Sequence, residues 1–148
     1  MRKTSCGSGI LALATLAAAC SHTLTAEAHS PVGCYRLTIG AWDHPPEEPV
    51  IPLPDSITLM DVRGTDALED DRLLVRPYPA SVLQYYRWSW WQPVDGDSLR
   101  VVWSTGFSGV DMRLGRAGDD YSGRARNFVD YPIDASTATV TLDRFTCS

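Results

Sequence analysis

The stretch YYRWSWWQPVDGDSLRVVWSTGF (Tyr85–Phe107) holds four of the five tryptophans of the chain, and its reading decides the fold. Tyr85–Gln92 and Ser98–Phe107 are rich in aromatic and β-branched residues, which suit a pleated, half-buried surface. Between them, Pro93-Val94-Asp95-Gly96-Asp97 gathers turn formers, so the whole reads as one β-hairpin. Successive strand side chains point to opposite faces. Leu99, Val101 and Trp103 therefore share one face, with Arg100, Val102 and Ser104 on the other. The same alternation groups Tyr86, Trp88 and Trp90, leaving Tyr85, Arg87, Ser89 and Trp91 opposite. Joining the two apolar faces predicts a wall of indoles turned toward one core.

Outward from the hairpin, strand signals recur at short intervals. Gly33–Trp42 alternates, with Tyr35, Leu37, Ile39 and Ala41 on one side and Arg36 and Thr38 on the other. Asp43–Asp55 contains Pro45, Pro46, Pro49, Pro52 and Pro54, which forbid a central strand or a helix and predict a stiff surface connection. Its length also suits a lid or binding loop. Ser56–Val62 and Arg72–Arg76 read as strands around an acidic turn, and Pro77-Tyr78-Pro79 breaks the pattern before the hairpin. Val110–Arg116, Tyr121–Val129 and Thr137–Thr146 complete the series, the last with Ala138, Val140 and Leu142 inward and its threonines outward. The expected fold is all-β, a single antiparallel up-and-down barrel of about eight strands. Gly123 and Ala125, on the face of Tyr121, are expected to leave interior room for the indoles.

The N-terminus carries export signals. Arg2 and Lys3 precede an apolar run, Ile10–Ala19, too short to stay in a bilayer as a spanning helix. Two cleavage patterns compete. Ala17-Ala18-Ala19-Cys20 resembles a bacterial lipobox with its leucine displaced to Leu16, which would make residues 1–19 the signal peptide and Cys20 the acylated first residue. Ala26-Glu27-Ala28 is an A-x-A site that would remove residues 1–28. In the first case residues 20–32 form a polar tether to the domain at 33–148, and the lipid anchors the protein to the outer membrane. In the second the product is periplasmic or secreted.

Removal of Cys6, and acylation or loss of Cys20, leaves Cys34 and Cys147 as the one intramolecular pair of an exported protein. Cys34 opens the first strand and Cys147 is penultimate. In an even-stranded up-and-down barrel these two points are neighbours, so a bridge there closes the domain.

Charge narrows the partners. From Cys20 onward the chain carries 11 arginines, no lysine and 18 acidic residues, a net charge of −7. Such a domain repels nucleic acid and anionic lipid surfaces. Arg113, Arg124 and Arg126 form a small outward cationic stripe, with Asp111 nearby as a cross-strand partner.

The catalytic inventory is short. His44 is the one histidine of the domain, and Gly106-Phe107-Ser108-Gly109 lacks the spacing of a nucleophile elbow. Asp66, Glu69, Asp70 and Asp71, with Asp95, Asp97, Asp119 and Asp120, follow no calcium-loop spacing and read as solvated turn carboxylates. No metal and no cofactor is expected.

The order of elements resembles the calycin superfamily, the lipocalins and their small bacterial relatives. Gly33-Cys34-Tyr35 occupies the place of the G-x-W motif of that superfamily, with Tyr35 for the tryptophan. Val129-Asp130-Tyr131 matches its T-D-Y motif only in part and falls late, and no residues remain for a C-terminal helix. The resemblance implies a barrel able to hold one small ligand, without assigning ligand residues.

The residues themselves nominate Trp88, Trp90, Trp103, Tyr86 and Tyr121 as barrel-lining aromatics for an apolar ligand. The expectation is a non-catalytic cell-envelope protein that binds a small apolar molecule. The alternative is a structural or protein-interaction module of the outer membrane. A hydrolase using His44 or paired aspartates ranks third.

Overall fold

The computed structural model describes residues 30–45, 52–63, 72–129 and 135–147. The expected signal peptide, Cys20, most of the expected tether, the acidic residues 66–71 and Asp130-Tyr131 lie outside these described residues. Eight strands, β1 (Gly33–Ile39), β2 (Ser56–Arg63), β3 (Leu73–Tyr78), β4 (Trp88–Pro93), β5 (Ser98–Ser104), β6 (Ser108–Ala117), β7 (Asp120–Val129) and β8 (Thr137–Phe145), close into one barrel. Every neighbour is antiparallel and consecutive in sequence, and β8 returns to pair with β1 from Cys34↔Phe145 to Ile39↔Val140. Closure removes the exposed sheet edges that invite aggregation.

The same closure brings the chain ends together. Cys34 and Cys147 are disulfide-bonded, with their Cα atoms 5.4 Å apart across a separation of 113 residues. A loop of that length carries a nominal closure entropy worth about 4–5 kcal/mol in the unfolded chain.

The interior is a single apolar cluster in which Tyr35, Leu59, Val101, Trp103, Met112, Ala125 and Leu142 are fully buried. Its members come from every strand, as the period-two alternation requires. Tyr35 and Tyr121 meet edge to face at 5.9 Å near the end that carries the disulfide, here called the lower end. Gly123 faces inward as expected, but for another reason. A Cβ there would stand 2.0 Å from the Arg113 carbonyl oxygen, so the glycine lets β6 and β7 approach closely. It is Ala125, buried between Met112 and Ala138 on adjoining strands, that keeps this wall thin.

Two features depart from the sequence reading. Pro77 lies inside β3, buried and opposite Ile57. The Tyr78 carbonyl faces Asp55 and accepts its N–H, so the nitrogen of the preceding Pro77 points away from β2. On that side β3 pairs with β4 only at Leu73 and Leu74, and a missing N–H goes unnoticed. The second departure is the hairpin. Tyr85 belongs to a 3₁₀ turn, Ala80–Tyr85, and the strand begins only at Trp88.

The register of that hairpin corrects the indole wall. Trp91 pairs with Val101, Ser89 with Trp103 and Pro93 with Leu99, so Trp91 and Ser89 face inward. Trp88 and Trp90 stand on the outer face instead, half-buried. The turn is the cause. Val94 and Ser98 close a three-residue loop, Asp95-Gly96-Asp97, with Gly96 at φ 52°. A two-residue loop would have set Trp90 against Trp103, the arrangement drawn from face matching alone. An odd loop shifts the pairing by one residue and turns every side chain of β4 over.

Candidate functional site

The connections β1–β2, β3–β4, β5–β6 and β7–β8 all fall at the upper end of the barrel, opposite the disulfide. Three elements there are held by backbone and side-chain hydrogen bonds. Gly40 and Asp43 continue the β1 pairing through N–H bonds to the Thr139 and Thr137 carbonyls, at 2.9 Å each. The 3₁₀ turn seats Val82 as a buried residue. The β5–β6 turn is fastened by Thr105, whose hydroxyl accepts from the Ser108 N–H at 3.1 Å.

Beneath this cap lies a layer of side chains fixed by cross-strand register. Ser89 pairs with Trp103, Trp103 with Val110, and Val110 with Asn127, and the Asn127 N–H then donates to the Ser136 carbonyl at 2.9 Å. All five therefore lie in one inward row. Ser89 is satisfied, its hydroxyl reaching the Val75 carbonyl at 3.3 Å. Two other side-chain polar atoms of the row are not. Trp103 is fully buried, and among the described residues its indole N–H has no acceptor and the Ser136 hydroxyl, 1% exposed, has no partner. Asn127, 8% exposed, stands beside them in the row. An unmet buried donor costs about 1–3 kcal/mol, so two such groups in one row are not a feature of ordinary packing.

Tyr86 closes the layer from above. Its ring lies 6.4 Å from that of Trp103, and its hydroxyl donates to the Pro52 carbonyl of the proline-rich connection. Burial raises its pKa well above the usual phenol value, because the phenolate would lose its hydration. Ile39, Trp42 and Leu53 pack against the same cluster, so the upper layer has apolar walls with polar atoms set among them.

Of the five nominated aromatics, the structure unites Trp103 and Tyr86. Tyr121 is inward but lies at the lower end beside Tyr35. Trp88 and Trp90 are removed from the interior by the hairpin register, and each carries a guanidinium on its ring. Arg87 lies 4.8 Å from the Trp88 ring centroid, while Arg72 and Arg100 approach Trp90 at 4.3 and 5.2 Å. Trp91 takes the interior place, 2% exposed, with its indole N–H donating to the Met60 carbonyl at 3.0 Å.

Asn127 and Ser136 are not among the residues that composition and motif nominate, but each carries a signal in its parity. Asn127 has the parity of Tyr121, Gly123 and Ala125 on an otherwise apolar face. Ser136 has that of Ala138, Val140 and Leu142.

His44 sits at the outer rim of the cap, its Nδ1 2.9 Å from Asp43 Oδ1, with both side chains about half exposed. Asp43 is held mainly by the Thr137 backbone N–H and then by the Thr137 hydroxyl, and these bonds lower its pKa. Among the described residues, no three His, Cys, Asp or Glu side chains come together as a metal site. No helix of the described residues is long and apolar enough to cross a membrane.

No family model matches the chain, and neither a curated protein nor a solved structure gives a significant match.

Proposed function

We propose that the protein is an exported, non-catalytic barrel of calycin type in the cell envelope, which holds a small, largely apolar ligand at the upper end of its interior. The observation that carries this reading is the Trp103 indole N–H, fully buried without an acceptor among the described residues, in the same inward row as Asn127 and Ser136. A ligand with an apolar or aromatic body and one carbonyl-type oxygen meets that need. Its body would lie against Tyr86 and Trp103, and its oxygen would accept from the indole N–H. Tyr86 donates to the Pro52 carbonyl, which ties the described end of the proline-rich connection to the site.

Two neutral fluorescent probes test it. Prodan carries a ketone, and N-phenyl-1-naphthylamine has no carbonyl. The expected outcome is saturable binding of both, with Trp103→Phe weakening Prodan about tenfold and leaving the naphthylamine unchanged, since one hydrogen bond is worth about 0.5–1.5 kcal/mol. Absence of saturable binding for both probes overturns the reading. Mass spectrometry of the mature N-terminus tests export separately, expecting an acylated Cys20 or a start at His29.

A second reading, an interaction module of the outer membrane without an interior ligand, is favoured by the outward Trp88 and Trp90. Indoles on an outer barrel wall suit contact with another protein.

A further inference from the structure

The outer wall of β5, β6 and β7 carries a patch that neither the barrel's stability nor its interior explains. Arg100 pairs directly with Arg113, and Arg113 with Arg124, so three arginines stand in one row across three strands. Arg126 lies two residues beyond Arg124 on the same face. Cross-strand neighbours are about 5 Å apart, and residues two along a strand about 7 Å. Like charges placed directly opposite destabilise a sheet. A carboxylate at position 113 would have faced an arginine on each side and relieved that repulsion.

The carboxylate that is present is engaged elsewhere. Asp111 faces Arg126 across the strand pair, but both its oxygens are held by Arg100, at 2.9 and 2.7 Å. Arg124 is anchored on one side only: it donates to the Thr137 hydroxyl at 2.7 Å, which in turn donates to Asp43 at 2.8 Å. Among the described residues, Arg113 and Arg126 make no ion pair or hydrogen bond, and both are exposed. Trp90, under the Arg100 guanidinium, borders the group.

We infer that Arg113, Arg124 and Arg126 form a docking surface for a short, extended acidic segment of a partner protein, with carboxylates at alternate positions. The spacing is the first argument. An extended chain presents every second side chain on one face at about 7 Å, the repeat of Arg124 and Arg126, and Arg113 stands beside them for a further oxygen. Guanidinium also matches carboxylate as a planar two-pronged donor. The openness of the wall is the second. An exposed outer face desolvates a single small anion poorly, so binding needs several charges presented together. The third is the size of the patch. It is bounded by Asp111 and Asp43 on an acidic molecule, which suits a few carboxylates and repels a long polyanion such as nucleic acid.

Fluorescence anisotropy of a labelled (Glu-Ser)₄ peptide, titrated with the full chain at 20 mM and at 150 mM salt, tests the assignment. Saturable binding at 20 mM salt that weakens at 150 mM is expected. Arg126→Glu should weaken it at least tenfold, Arg113→Ser less, and Arg76→Ser, an exposed arginine on β3, should leave it unchanged. No binding at 20 mM salt overturns the inference. So does equal loss in the Arg76→Ser protein, which would mark diffuse attraction. Tighter binding of an oligothymidylate of equal charge overturns the choice of partner. Inorganic phosphate at equal charge competing as well as the peptide would do the same.

Discussion

Trp90 and Trp91 are neighbours in sequence and belong to opposite worlds. Trp91 is closed into the core with its N–H bonded to a backbone carbonyl, whereas Trp90 lies on the outer wall between two guanidiniums. Trp103 and Trp88 repeat the division one step along the hairpin. The inner pair stabilises by removing large apolar area from water, and the outer pair by cation–π contact and by covering what lies beneath. Val102, an outer residue only 5% exposed, is flanked by Trp90 and Asp111. Both faces of β4 carry tryptophan, and register alone assigns the roles.

Substitution should expose that difference. Trp91→Ala or Trp103→Ala removes a buried ring and is expected to lower unfolding free energy by about 3–5 kcal/mol in urea denaturation. Trp90→Ala should cost about 0.5–1 kcal/mol, the worth of an exposed cation–π contact with some lost cover. Equal losses at positions 90 and 91 would break the comparison.

Next in size comes the clasp. The paired change Cys34→Ser with Cys147→Ser is expected to cost about 2–5 kcal/mol, seen as a lower urea midpoint. An unchanged midpoint would show that closure of β1 on β8 suffices alone.

A pH test sharpens the view of the cap. Burial raises the pKa of Tyr86, and also those of Tyr35 and Tyr121. A raised folded pKa means stability that is fully present below the unfolded phenol value, about 10, and is lost as pH rises above it. Thermal unfolding should therefore show a falling melting temperature above about pH 10, with a shallower fall in Tyr86→Phe. Asp43 has the opposite sign. Its lowered pKa gives stability present above the ordinary aspartate range and lost as pH falls through its folded value, so Asp43→Asn should flatten the acid limb slightly.

Strand number, order and the bridge were legible in the sequence because each rests on local signals: alternation, turn residues, and cysteines at the two ends of a closed meander. All eight predicted strands match the observed ones to within three residues at each end. The faces of β4 were not legible, since parity passes from one strand to the next through the loop. Pro93-Val94-Asp95-Gly96-Asp97 accommodates an even or an odd closure with the same residues. That one choice moved two of the five nominated site residues outside. The polar row was legible in principle, because an asparagine on an apolar face breaks the local pattern. It needed the barrel to bring Asn127, Ser136 and Trp103 to one level.

The most direct test is ¹⁹F NMR of protein labelled with 5-fluorotryptophan, its resonances assigned by single Trp→Phe variants, with a soluble nitroxide added. Trp88 and Trp90 are expected to broaden with added nitroxide, while Trp91 and Trp103 stay sharp. A sharp Trp90 resonance beside a broadened Trp91 would contradict the register on which the site and the wall both depend.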